Sequence, residues 1–134
     1  MKLQMLMKLL QVKSKTNSAD MSSVLNDLLK VKSYMSFSEK DKLIRSVIKE
    51  SFEERLDGSL RSFSTLRSKK FTEKLLEAYT DIEIDDSTYD ILAENGLLTA
   101  ILSVIGNEYE LCSRMLASYI EDILNGFVKL EDLQ

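Results

Sequence analysis

The residues best suited to bind a metal ion are the carboxylates of a short acidic stretch, Asp81–Asp86. Alternate carboxylates on a flexible loop suit calcium, because this hard cation takes several oxygen ligands. The full calcium-loop pattern fails, since Asp86 stands where the sixth-position glycine is needed and Leu92 where a bidentate acid is needed. We therefore predict a solvated acidic loop, anchored to the core by Ile82 and Ile84, with no metal and no cofactor.

The candidate nucleophiles lack the groups that would activate them. Cys112 falls within an apolar helical stripe, and the chain has no histidine to act as a base or to complete a zinc site. No serine sits in a G-x-S-x-G turn, and the four glycines stand too far apart to cradle a phosphate. We predict a non-enzymatic protein without catalytic residues, one that works by binding other proteins.

The composition favours helices over sheets. Proline is absent and glycine occurs four times in 134 residues, whereas hairpins draw heavily on both. We predict an all-α fold, an irregular bundle of five or six helices with an N-terminal amphipathic arm. Residues 1–20 are expected to form the arm and a linker, and residues 21–134 a single helical domain.

Apolar residues at helical spacing place the first helices. A short helix is expected within residues 22–35. Ser38 precedes Asp41 by three positions, a variant of the capping box that predicts a longer helix beginning there. Asp57-Gly58 is expected to end that helix, because glycine supplies the left-handed residue that closes many helices. A further helix is expected from about Leu60 to Tyr79, with Leu60, Phe63, Leu66, Phe71 and Leu75 on its apolar face.

The second half of the chain predicts three more helices. Asp86 or Ser87 is expected to cap a short helix that ends at Asn95-Gly96. The almost wholly apolar stretch Leu97–Ile105, stopped by Gly106, is expected to be the central buried element. Asn107 is expected to cap the last helix.

Two surfaces are predicted to bind a partner. The arm carries Leu3, Leu6, Met7 and Leu10 at helical spacing, which suits docking on another subunit, although such an arm also packs on its own domain or frays. The last helix has an apolar stripe wider than one neighbour covers, which indicates burial against several helices or against another chain. Its candidate partner-binding residues are Met115, Tyr119, Ile123 and Phe127.

Charge is distributed unevenly along the chain. Residues 1–70 carry fifteen Lys+Arg against eight Asp+Glu, whereas residues 71–134 carry three against fourteen. This asymmetry indicates a basic surface for an acidic partner, head-to-tail stacking of copies, or helices from the two halves that neutralise one another. Nucleic-acid binding is a further hypothesis, suggested by the scattered cations Arg45, Lys49, Arg55, Arg61, Arg67, Lys69 and Lys70. The interleaved acids Glu50, Glu53 and Glu54 instead favour a salt-bridged, solvated face.

The single cysteine indicates a reducing compartment, and no stretch approaches the roughly 18 uninterrupted apolar residues that a membrane span requires. We therefore expect no membrane partner.

Three short motifs occur in order along the chain: a "V-K-x-Y-M-x-F-x-E-K" opening within Leu29–Ile44, a "Y-T-D" within Glu77–Ile82 and a "Y-D-x-L-x-x-x-G" element within Tyr89–Leu98. With these motifs the chain resembles small helical proteins encoded by tailed bacteriophages. The resemblance covers about residues 29–125 and supplies no catalytic residues. It implies a structural or assembly protein located in the host cytoplasm and then in the virion, with phage structural proteins or its own copies as partners. The alternative is a small regulatory or host-directed binding protein, one that could bind DNA.

Overall fold

The protein is seen here in a computed structural model that describes residues 2, 4–8, 25 and 27–133. From Phe37 onward the elements are α1 (Phe37–Ser51), β1 (Phe52–Glu54), β2 (Leu60–Ser62), α2 (Ser64–Tyr79), α3 (Asp86–Glu94), α4 (Leu97–Ile105), α5 (Asn107–Leu124) and a 3₁₀ turn (Leu130–Leu133). Before them, residues 4–8 and 27–29 are helical. The predicted all-α class is confirmed.

The chain divides into two compact units, each built from two stretches of sequence. The first unit contains the described residues up to Tyr34 together with Leu75–Asn107. The second unit contains Met35–Lys74 together with the described residues from Glu108 onward. The division into an arm within residues 1–20 and one domain over residues 21–134 stays a prediction.

Helix α1 is capped by Ser36 and not by Ser38, so the predicted cap is wrong. The backbone of Ser36 is extended, and its hydroxyl accepts a hydrogen bond of 3.2 Å from the Glu39 amide. Ser38 already lies inside the helix, so it cannot take the half-extended conformation of a cap. The same correction applies at α3, where Asp85, rather than Asp86 or Ser87, accepts the capping bond from the Thr88 amide at 2.7 Å.

A β-hairpin replaces the predicted helix break. Strands β1 and β2 pair antiparallel, with Phe52 opposite Ser62, so Leu60 lies in a strand and Phe63 lies outside α2. The Asp57 carboxylate accepts bonds from the Ser59 amide at 2.9 Å and hydroxyl at 2.6 Å, which closes the turn. Asp-Gly is a strong hairpin signal as well as a helix-ending one, and here the hairpin prevails.

The core of the second unit is built on the buried faces of α1 and α5. Ile44, Val47 and Ile48 are fully buried on α1, as is Cys112 on α5. Helix α2 joins them through the rings of Phe71 and Tyr109, whose centroids lie 5.9 Å apart, and through an ion pair of 3.3 Å between Lys74 and Glu50. These contacts hold α1, α2 and α5 in one packed group.

The first unit has its own buried set. Leu75, Leu76 and Tyr79 at the end of α2 are fully buried, as are Leu92 on α3 and Ile101 on α4. Helix α4 is less central than predicted, because burial follows one face: Leu97, Ile101 and Ile105 are buried, whereas Thr99 and Ser103 are exposed. Its hydroxyl-bearing residues explain the difference, since they occupy the face opposite the buried one.

Gly106 ends α4 in a conformation that other residues rarely adopt, with φ 62° and ψ −122°. We expect Gly106→Ala to lower the free energy of unfolding by about 1–3 kcal/mol, because the alanine Cβ makes this backbone strained. Space is not the cause, since an added Cβ would lie 3.7 Å from the Ser103 carbonyl oxygen. Urea denaturation followed by circular dichroism measures the change.

The control is Thr99→Ala, an exposed position in the same helix. Its effect should be within about 0.5 kcal/mol of zero. Equal stability of the two variants would contradict the backbone conformation assigned to Gly106.

Candidate functional site: a groove between α1 and α5

A groove of about 470 Å³ lies between the start of α1 and the middle of α5, within the second unit. We call it the α1–α5 groove. Its lining combines apolar side chains with charged ones at the edges: Phe37, Asp41, Leu111, Arg114, Met115, Ser118, Tyr119 and Asp122.

A buried ion pair, one residue before the groove-lining Asp41, joins the two helices. The Lys40 ammonium lies 2.8 Å from one oxygen of Glu108, and both side chains are 6% exposed. The other Glu108 oxygen accepts a hydrogen bond of 2.8 Å from the Met35 amide. Each carboxylate oxygen therefore binds a donor from the segment that opens α1, which pins the start of α1 to the start of α5.

Asp41, the residue after Lys40, forms a second polar contact between the two helices together with Arg45 and Tyr119. The Tyr119 hydroxyl donates to one oxygen of Asp41, and the Arg45 Nε donates to the other at 2.8 Å. The same Nε lies 3.2 Å from the Tyr119 oxygen. We call these three residues the polar cluster.

The polar cluster changes the acidity of two of its members. Burial raises the pKa of Tyr119, and the hydrogen bond to Asp41 raises it further, against a smaller opposing effect of Arg45. The pKa of Arg45 is also raised, chiefly by its hydrogen bond and charge interaction with Tyr119 and then by the charge of Asp41. At neutral pH Tyr119 is thus a neutral phenol and Arg45 a cation.

The α1–α5 groove has the make-up of a protein-binding surface. Phe37 is 70% exposed and Leu111 is 42% exposed, and Met115 on α5 is half-buried. Arg114, paired with Glu110 at 2.7 Å, and Asp122 supply charges at the edge. Apolar and aromatic side chains ringed by polar ones are typical of protein interfaces.

The structure brings together only part of the predicted partner-binding set. Met115 and Tyr119 both line the α1–α5 groove. Ile123 is 3% exposed and lines a separate recess beside the hairpin, and Phe127, beyond the end of α5, is 78% exposed.

The predicted residues of the N-terminal arm are placed differently. Leu6 is fully buried by the chain itself and Met7 is half-buried, so Leu6 offers no surface to another subunit in this arrangement. Leu3 and Leu10 lie outside the described residues. The docking role of the arm stays a prediction.

Sequence reasoning overlooked the residues that shape the groove. Lys40 precedes Ile44 by four positions, and Glu108 precedes Cys112 by four, so each charge falls on the buried face of its own helix. Two opposite charges at core positions of two helices could have predicted a buried ion pair. Phe37 gave no comparable sign, because it stands one residue after the cap and outside any stripe.

The other candidates for chemistry have structural roles. Ile82 anchors the acidic stretch with 3% exposure, Ile84 is half-buried, and hydrogen bonds from Thr88 lower the pKa of Asp85, which caps α3. Cys112 is fully buried. Within the part of the chain that the structure describes, no group of three or more His, Cys, Asp or Glu residues could hold a metal ion.

Among the helices that the structure describes, no single one is long and apolar enough to cross a bilayer. Helices α3 and α4 together have the length and composition of a span, but the chain bends by 94° between them.

Comparison with known proteins returned no matching family model, no matching curated protein and no matching solved structure.

The buried ion pair can be tested by removing its carboxylate. We expect Glu108→Ala to lower the free energy of unfolding by about 3–5 kcal/mol, because the Lys40 ammonium and the Met35 amide both lose this acceptor. In the double variant Lys40→Met/Glu108→Gln no charge remains to desolvate and the glutamine oxygen can still accept from Met35. Its stability should recover most of the loss. If the single variant Glu108→Ala and the double variant unfolded at the same denaturant concentration, this explanation would be contradicted.

The polar cluster predicts a response to alkaline pH. The raised pKa of Tyr119 means that the folded state holds this proton more tightly than the unfolded state, whose value is 10.0. The stabilisation is therefore complete below pH 10 and is lost as pH rises through the folded pKa. We expect the difference in unfolding free energy between the wild type and Tyr119→Phe to shrink above pH 10. If the unfolding free energies of the wild type and Tyr119→Phe differed by the same amount at every pH up to about 12, the hydrogen bonding assigned to Tyr119 would be contradicted.

Proposed function

We propose that this chain is a non-enzymatic structural or assembly protein of a tailed phage. In this proposal it is a head, connector or tail component, or an assembly chaperone, and it binds other phage proteins through the α1–α5 groove. It acts in the host cytoplasm and, as a structural component, in the virion.

The α1–α5 groove is the observation that carries the proposal. Phe37 and Leu111 leave a large part of their apolar surface in water, which a binding partner would cover. The walls around them are held by the buried ion pair and the polar cluster, so the groove is formed before a partner arrives. A preformed site avoids part of the entropy cost of ordering side chains on binding.

The phage assignment is supported by the sequence runs that resemble tailed-phage proteins. The first of them, Leu29–Ile44, contains Met35 and Lys40 of the buried ion-pair network as well as Phe37 of the groove. One of the three runs that carry the resemblance thus contributes to the proposed binding surface.

The test is quantitative mass spectrometry of purified particles of the phage that encodes the chain. A virion component is expected in stoichiometric amounts, and an assembly chaperone in assembly intermediates but not in finished particles. Absence from both, with expression early in infection, would overturn the proposal in favour of a regulatory or host-directed protein.

The role of the groove is tested by Phe37→Ser/Leu111→Ser, with Leu56→Ser/Leu124→Ser as the matched control. Leu56 is 111% exposed and Leu124 is 68% exposed, and neither lines the groove. We expect incorporation of the groove variant to fall by roughly tenfold, since buried anchors carry most of an interface's binding energy. The control should be incorporated like the wild type. Equal losses in both variants would place the binding surface elsewhere.

A further inference from the structure

A second groove runs along α1 and is basic. Its lining contains the cations Lys42, Arg45 and Lys49, together with Ser38, Asp41, Ser46 and Leu133. Positions 42, 45 and 49 stand three and four residues apart, so the three cations share one face of the helix. Lys42 and Lys49 are exposed and Arg45 is half-buried. We call this surface the basic groove.

Among the described residues that line the basic groove, Asp41 is the one acid. Both of its oxygens already accept hydrogen bonds, one from Tyr119 and the other from Arg45. Arg45 therefore compensates the charge of Asp41, and Lys42 and Lys49 carry the remaining positive charge of the lining. The 3₁₀ turn, whose Leu133 also lines the groove, carries the exposed acids Glu131 and Asp132.

The same chain carries a surface of opposite sign. Residues 75–107 contain seven Asp+Glu and no Lys or Arg. Every one of the seven is exposed: Glu77, Asp81, Glu83, Asp85, Asp86, Asp90 and Glu94. We call the part from Asp81 to Glu94 the acidic surface. Cations of the same unit lie near this surface: Lys2 lines the recess at Glu83 and Asp85, and the exposed Lys32 follows the segment whose Leu29 carbonyl accepts from the Asp81 amide.

We propose that the basic groove binds the acidic surface of a second copy of this chain. The two surfaces belong to different compact units and differ in sequence, so the contact is head-to-tail and each copy keeps one surface of each kind for the next. Such contacts repeat into a ring when the rotation closes and into a filament when it does not. This inference uses a surface other than the α1–α5 groove and does not depend on the proposed function.

Charge complementarity favours a second copy over a nucleic acid. Nucleic-acid phosphates would also pair with the lysines of α1, but the chain has a net charge of −4 and a pI of about 5.0. A polyanion is repelled by the remainder of such a protein, whereas a second copy brings its acids together with its own cations.

Analytical ultracentrifugation of the full-length chain over a concentration series tests the proposal. At low ionic strength the mean mass should rise with concentration, and in 0.5 M NaCl it should return towards the monomer, because salt at about this concentration screens exposed charges within a few ångströms. A monomer at every concentration in low salt would overturn the proposal.

Charge reversal identifies the surfaces. Lys42→Glu/Lys49→Glu and Glu83→Lys/Asp90→Lys should each weaken self-association by roughly tenfold or more, because like charges then face each other. An equimolar mixture should associate again, since each variant keeps the surface that the other has lost. Circular dichroism confirms that both variants fold.

The matched control is Arg55→Glu/Lys129→Glu, which changes the net charge equally at exposed positions outside the basic groove. It should associate like the wild type. Self-association that survives both reversals would assign the contact to another face. The protein could instead be a monomer that binds duplex DNA in low salt. If Lys42→Glu/Lys49→Glu then abolishes this binding, the basic groove binds a nucleic acid and not a second copy.

Discussion

The arrangement of the second unit depends on one buried carboxylate. Glu108 accepts from Lys40 with one oxygen and from the Met35 amide with the other, and it is almost completely removed from water. Taking two charges out of water costs about as much as their pairing returns, so the pair adds little net stability. It instead fixes which turn of α1 meets which turn of α5, because any shift along the helices leaves these charges without their hydrogen bonds.

Both candidate binding surfaces follow from this alignment. With Lys40 and Glu108 paired, Asp41 comes within hydrogen-bond distance of Tyr119, and Arg45 completes the polar cluster. The polar cluster lines the α1–α5 groove through Asp41 and Tyr119 and the basic groove through Asp41 and Arg45. A disturbance at the ion pair should therefore reach both grooves, although neither groove contains Lys40 or Glu108.

The sequence predicted features for which the local pattern supports a single structure. The all-α class, the end of α3 at Asn95 and the end of α4 at Gly106 follow from composition, spacing and single turn residues. Local signals that support two structures were misread: Asp57-Gly58 serves a hairpin as well as a helix end, and either Ser36 or Ser38 could cap α1. Long-range contacts were missed, since Lys40 and Glu108 are 68 positions apart and periodicity places each on a buried face without naming its partner.

The Met35 amide offers the most direct test of the central role of the Glu108 carboxylate. Met35 lies outside any helix or strand, yet its N–H is bound by a buried carboxylate and its side chain is 6% exposed. Native-state hydrogen exchange followed by NMR should show this amide exchanging as slowly as the amides of Val47 and Ile48, which are fully buried in α1. Exchange at the rate of an exposed loop amide would contradict the account.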